Sequence, residues 1–122
     1  MDFVKFINKL PNIKFLFLKD TNIGDKGFIE LAKNLTITAL SVENDSIGNE
    51  GGSAIAKNPI ITSLCLENNF LGDNAAIDLA RNNTLRFLNV AFNNITTVGE
   101  QRLRANTTLQ ALHIGNRWGT SL

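Results

Sequence analysis

The sequence holds little with which to cross-link itself. Its single cysteine, Cys65, has no partner for an intramolecular disulfide, and with a single histidine, His113, it excludes a zinc site built from cysteine and histidine alone. This usage suits a reducing compartment. Net charge is scarce as well: 12 Lys and Arg against 11 Asp and Glu leave +1, so no global field draws the chain to nucleic acid or an anionic membrane. No apolar run approaches the length of a membrane span. The opening MDFVKFINKL carries Asp2 and lacks the charged n-region, long h-region and cleavage site of a signal peptide. No Gly-Lys-Ser or Gly-Lys-Thr follows Gly51 and Gly52, so these glycines do not read as a phosphate loop. The chain is nonetheless equipped to fold. Its 43% hydrophobic and 19% charged residues supply one continuous core, and 122 residues suit one domain.

The apolar residues recur with a fixed period. Segments starting at Ile13, Ile37, Ile61, Leu85 and Leu109 stand 24 residues apart without insertion or deletion, reading IKFLFLKDTNIG, ITALSVENDSIG, ITSLCLENNFLG, LRFLNVAFNNIT and LQALHIGNRWGT. Leu16, Leu40, Leu64, Leu88 and Leu112 hold the fourth place, and Leu18, Val42, Leu66, Val90 and Ile114 the sixth. This alternation predicts a strand. The second half of each unit reads GFIELAKN, GGSAIAKN, AAIDLARN or GEQRLRAN, which predicts a short helix. Asp25, Asn49, Asp73 and Thr97 stand where a side chain would cap that helix, and Thr97 with Glu100 has capping-box spacing. Asn34, Asn58, Asn82 and Asn106 align at the far end, where Asn tolerates a left-handed closing conformation and its amide can bond loop backbone. Phe3 to Leu10 matches a helical half without its strand half and is expected to act as a lid.

This pattern resembles leucine-rich repeats. In the form LxxLxLxxNxIGxxGAxxLAxN it is similar to the 24-residue GALA-type, ribonuclease-inhibitor-like subclass found in bacterial, for example Legionella-like, effectors. The place that subclass gives to Asn after the strand holds Thr21, Asp45, Asn69, Asn93 and Arg117 here. The resemblance implies an α/β solenoid with a parallel β-sheet on the concave face and short helices on the convex face. It divides the chain into an N-terminal capping helix, residues 1–12, and five repeats over 13–122, the last truncated. It further implies a non-enzymatic protein–protein interaction module, an effector or its target-binding domain, that needs no cofactor or metal and binds a partner or host protein. The place of action would be the cytoplasm, either of the producing cell or of a host reached without a signal peptide. The alternative is a structural or dimerisation unit, or a fragment of a larger multidomain protein.

In such a solenoid places three, five and seven project from the concave sheet. Place three reads Phe15, Ala39, Ser63, Phe87, Ala111; place five Phe17, Ser41, Cys65, Asn89, His113; place seven Lys19, Glu43, Glu67, Ala91, Gly115. Phe15, Phe17, Lys19, Glu43, Glu67, Phe87, Asn89 and His113 are therefore the candidate partner-binding residues. Phe70 and Phe92, just past the strands, either extend this surface or turn inward to seal the loops. Cys65 and His113 lie on strands separated by another, roughly 10 Å apart and too far for a catalytic pair. Glu43 and Glu67 sit about 5 Å apart on adjacent strands, but an open sheet offers no sugar cleft, and the pair reads better as awaiting a partner's Lys or Arg, or as simply hydrated, with Lys19 next in the row relieving one of the charges. Lys9, Lys33, Lys57 and Arg81 complement helix C-termini, which explains the row without nucleic acid. The last strand would leave an open edge for a homodimer, unless Trp118 folds over it.

The register is open to direct measurement. Leu64→Ala removes a core side chain and is expected to cost roughly 2–5 kcal/mol in a denaturant titration, while Ser63→Ala is expected to be nearly neutral. Equal losses would shift the strand by one residue.

Overall fold

A computed structural model describes residues 2–115. In chain order these form α1 (Phe3–Asn8), β1 (Phe15–Lys19), α2 (Gly24–Leu31), β2 (Ala39–Glu43), α3 (Asn49–Ile55), β3 (Ser63–Cys65), α4 (Asp73–Ala80), β4 (Phe87–Asn89), α5 (Thr97–Arg104) and β5 (Ala111–His113). The strands make one parallel sheet in the order β1-β2-β3-β4-β5, and every rung pairs residues 24 apart, as in Leu40 with Leu64 and Leu64 with Leu88. Parallel neighbours need a crossover, and the helical half of each unit supplies it. The chain is thus a stack of coils, strand on one side and helix on the other, with the core between them.

That core is the periodic set. Leu40, Val42, Leu64 and Leu88 enter it from the strands, Leu66 and Val90 from just past β3 and β4, and Phe28, Leu31, Ile55, Leu79 and Leu103 from the helices; all are buried. Leu16 on β1 and Leu112 and Ile114 at β5 are only half-buried; among the described residues these two strands have a neighbour on one side. At the N-terminal end α1 lies against α2 and buries Val4 and Ile7, while Phe3 and Phe6 stay exposed. Asp2 caps this helix by accepting from the Lys5 N–H at 3.0 Å.

The helix caps depart from the sequence expectation in an informative way. Asp25 does not cap its own helix; its Oδ1 accepts from the N–H groups of Gly48 and Gly51, each at 2.8 Å, at the start of α3. Asn49 does the same for Gly72 and Ala75 of the next coil, at 2.9 and 3.0 Å, and Asp73 for Thr96 and Gly99, at 2.8 and 3.2 Å. Each side chain therefore satisfies the orphan amides of the helix one coil further on. The close approach explains the small residues there. A Cβ on Gly51 would fall 2.6 Å from the Asp25 carboxylate, and one on Gly99 2.5 Å from that of Asp73. At α5 the N-cap is Thr96 rather than Thr97: the Thr96 Oγ1 accepts from Val98, Thr97 is already inside the helix, and Glu100 pairs with Arg104 at 2.8 Å.

Two amide ladders tie the coils together. On the helix-exit side, Asn58 Oδ1 accepts from Ile60 and Ile61 while its Nδ2 donates to the Ala32 and Asn34 carbonyls of the preceding coil, at 2.9 and 2.8 Å. Asn82 and Asn106 repeat this, and Asn34 donates instead to Asn8 Oδ1, so α1 enters the same ladder. These asparagines bond loop backbone as expected but do not adopt the left-handed conformation. On the strand-exit side, Asn69 Oδ1 accepts from Asp45 and Ile47, and Nδ2 donates to the Val42 and Leu66 carbonyls. Asn93 continues the row. Asp45, fully buried, accepts through Oδ1 from Thr21 and Asn22, leaving Oδ2 without a hydrogen bond. Thr21 ends the row among the described residues, and Arg117 lies outside them.

Capping across coils has a testable signature. Asp25→Ala is expected to cost about 1–2 kcal/mol. Amide exchange should accelerate at Gly48 and Gly51 of the following coil rather than in α2, which carries the substitution. Faster exchange confined to α2 would contradict this reading.

Candidate functional site

The alternation that buries places four and six turns places three and five onto the open concave face. There Phe15, Phe17 and Phe87 are 76%, 65% and 49% exposed, large values for rings with no charge to solvate. Between them the floor is small and half-buried: Ala39 and Ser41 on β2, Ser63 and Cys65 on β3. Two shallow depressions result. One, of about 260 Å³, lies between the rings of β1 and the floor; the other, of about 520 Å³, runs from Ser63 and Cys65 past Phe87 and Asn89 to His113.

At the C-terminal ends of β2 and β3 the face changes character. Glu43 ends β2, Glu67 stands two residues beyond β3, and their carboxylate oxygens and the Cys65 Sγ lie within 4.8 Å of one another. These three residues could offer donors to a metal ion. Partial burial pushes the Glu43 carboxyl above the ordinary carboxylate range, helped by its hydrogen bond to Glu67 and the charges of Glu67 and Asp20 and opposed by Lys19. Burial likewise pushes the Cys65 thiol up, with the Glu67 N–H and the Ser41 hydroxyl pulling the other way. This environment keeps the sulfur protonated rather than activating it as a nucleophile. His113 is on β5, two strands from Cys65 with Asn89 of β4 between, so the sheet register separates thiol and imidazole.

The eight residues chosen from the sequence fall on one face but not into one cluster. Phe15 and Phe17 wall the first depression, and Lys19 lies exposed beside Glu43 in the register of β1 and β2. Glu43 and Glu67 are together. Phe87, Asn89 and His113 line the second depression, although the Asn89 Oδ1 is turned back to accept from the Ala91 N–H at 3.0 Å. Place seven does not project everywhere: Ala91, past the end of β4 where the chain turns into the left-handed Phe92, is buried. Phe70 is 61% exposed, whereas Phe92 is half-buried. Phe92 also has φ 56°, at the repeat place where Asp20, Asn44 and Asn68 adopt the same left-handed conformation. Asp and Asn enter that region readily and Phe does not, a local cost that repeat alignment alone reveals. Cys65 and Ser41 escaped selection as site residues, although both occupy the outward fifth place. Trp118, the candidate lid of the last rung, lies outside the described residues.

A leucine-rich repeat family model matches residues 33–56 and 81–100. The chain is similar to the solved actin-binding site 2 of leiomodin-1, at 20% identity and TM-score 0.73, over 93% of this chain and 78% of that one. It is also similar to the tropomodulin C-terminal domain of Caenorhabditis elegans, at 14% identity and TM-score 0.72, over 95% and 82%. At such identities the likeness is one of fold. No curated protein matches the sequence. The chain carries leucine-rich repeat sequence over those residues, and its parallel sheet with alternating short helices is a leucine-rich-repeat-like fold.

The raised Cys65 thiol has a direct readout. Alkylation by iodoacetamide at neutral pH is expected to be slower than that of free cysteine, with the rate still climbing at pH values where the free thiol has reached its plateau. A rate at or above that of free cysteine would contradict the assignment.

Proposed function

We propose that the chain is a non-enzymatic protein-interaction module whose concave sheet receives a partner protein. The carrying observation is the display of Phe15, Phe17 and Phe87 on a hydrogen-bonded sheet. Exposed rings on a rigid surface supply contact area at little entropic cost, the character of interface hot spots. The separation of Cys65 from His113 and the upward shift of the thiol speak against nucleophilic catalysis. The leiomodin-1 structure is named for an actin-binding site, and its shared fold supports a scaffold suited to binding proteins. The finer reading is the target-binding part of a bacterial effector, acting in the cytoplasm of its own cell or of a host. It is supported by the resemblance of the repeat pattern.

A second reading has one observation in its favour. Among the described residues β5 pairs with β4 alone, so its outer edge offers backbone groups for self-association. A dimer that persists when the concave face is altered and is lost on Ile114→Pro would favour it, provided that variant stays folded.

The leading reading is tested by replacing Phe17→Ala, Glu43→Lys and Phe87→Ala together. Capture of partner protein from cell lysate is expected to fall by an order of magnitude or more, with the circular dichroism spectrum and melting temperature nearly unchanged. Equal capture by the triple variant would eliminate this face.

A further inference from the structure

The apolar floor and the carboxylate pair are contiguous. With the concave face as the binding face, the reading on which this inference rests, their order along the sheet restricts what a partner must bring. Places five and seven of a strand lie about 7 Å apart, and neighbouring strands about 4.8 Å. A side chain entering over Ser41 and Cys65 therefore has Phe17 on its flank and, about one side-chain length further along the strands, Glu43 and Glu67. The entry is shallow, walled by the Phe17 ring and floored by small side chains; the end is anionic. A long aliphatic stem with a cationic head fits that sequence of environments, whereas a purely apolar side chain would leave the carboxylates facing it unpaired.

Among the described residues neither carboxyl has an ion-pair partner. The ion pairs among the described residues are Lys33 with Glu30, Arg81 with Asp78 and Arg104 with Glu100, all within or just past single helices and none on the concave sheet. Lys19 is next to Glu43 in the sheet register but forms no ion pair with it. Lysine would bring a point charge to two acceptors. A guanidinium brings five donors in a plane, can serve both carboxylates at once, and can stack on the Phe17 ring.

We infer that the concave face takes an arginine side chain of its partner, the stem on the Ser41 and Cys65 floor beside Phe17 and the guanidinium between Glu43 and Glu67.

The probe is the peptide acetyl-Leu-Arg-Leu-amide, titrated into the isotope-labelled full chain and followed by amide chemical shifts. Its citrulline counterpart keeps the shape without the charge, and its lysine counterpart keeps the charge without the fork. The arginine peptide is expected to shift the amides of Ser41, Glu43, Cys65 and Glu67, with the citrulline peptide about tenfold weaker or worse and lysine between them. Glu43→Gln with Glu67→Gln should erase the preference for arginine over citrulline while leaving distant shifts in place; Glu67→Gln alone serves if the double variant unfolds. Equal binding of arginine and citrulline peptides on this face overturns the arginine inference and leaves the interaction face standing. Absence of any shift on the concave face, with every peptide at about 10 mM, overturns the inference. Whether the face itself fails is then decided separately by the triple-variant capture.

Discussion

The structure depends on a single arrangement, the delivery of each coil's polar side chains to the backbone of its neighbour. A coil of 24 residues has too little interior to bury its own loops, and its helix begins and ends with unpaired amides and carbonyls. Here Asp25, Asn49 and Asp73 reach forward to cap the next helix, and Asn58, Asn82 and Asn106 reach back to the carbonyls of the previous coil. Every such bond spans 23 to 26 residues, and all of them would be broken by a change in coil length. The constant period is thus imposed by hydrogen-bond geometry as much as by the leucines.

The same arrangement decides what the concave face can be. With loop and helix polar groups satisfied inside the stack and the strands joined through their backbones, the side chains of places three and five are free of that task. Places three and five carry no ladder, so Phe15, Ala39, Ser63 and Phe87 can differ from one coil to the next without disturbing the register. Close packing on the helical side has the opposite character. A Cβ on Gly52 would come within 2.6 Å of the Ala75 Cβ, so small residues there are a condition of stacking. Variation is concentrated where it costs least, on the surface a partner would meet.

The strands, their register and the core were legible in the sequence because one period generates all three: Leu64 is buried for the same reason that it repeats Leu40. The caps were legible as chemistry and misplaced in space. Asp25 is the right residue type beside its own helix, and local spacing alone does not say that its carboxylate is spent on the helix of the following coil. Burial of Ala91 and the left-handed Phe92 depend on how the chain leaves β4, which alternation does not encode. The pairing of Glu43 with Glu67 followed from the register. The addition of Cys65 did not, because it belongs to a different place of the repeat and comes near only as Glu67 continues past the end of β3.

Asp45 shows the cost of departing from the ladder, and it does so in the coil that carries Glu43. Where Asn69 and Asn93 present a donor to the strand carbonyls, Asp45 presents a second oxygen, which is buried and has no hydrogen bond. Its other oxygen still gathers Thr21 and Asn22, so the acceptor half of the ladder survives and the donor half is lost. The first two coils therefore lack the amide donor that Asn69 and Asn93 extend to a carbonyl of the preceding coil, and they also contribute Phe15, Phe17 and Glu43 to the face. The aromatic wall nonetheless stands on the longest regular pairing of the sheet, because β1 and β2 pair over five residues, against three for each later pair, and Asp45 still draws in the Thr21 and Asn22 backbone beside it.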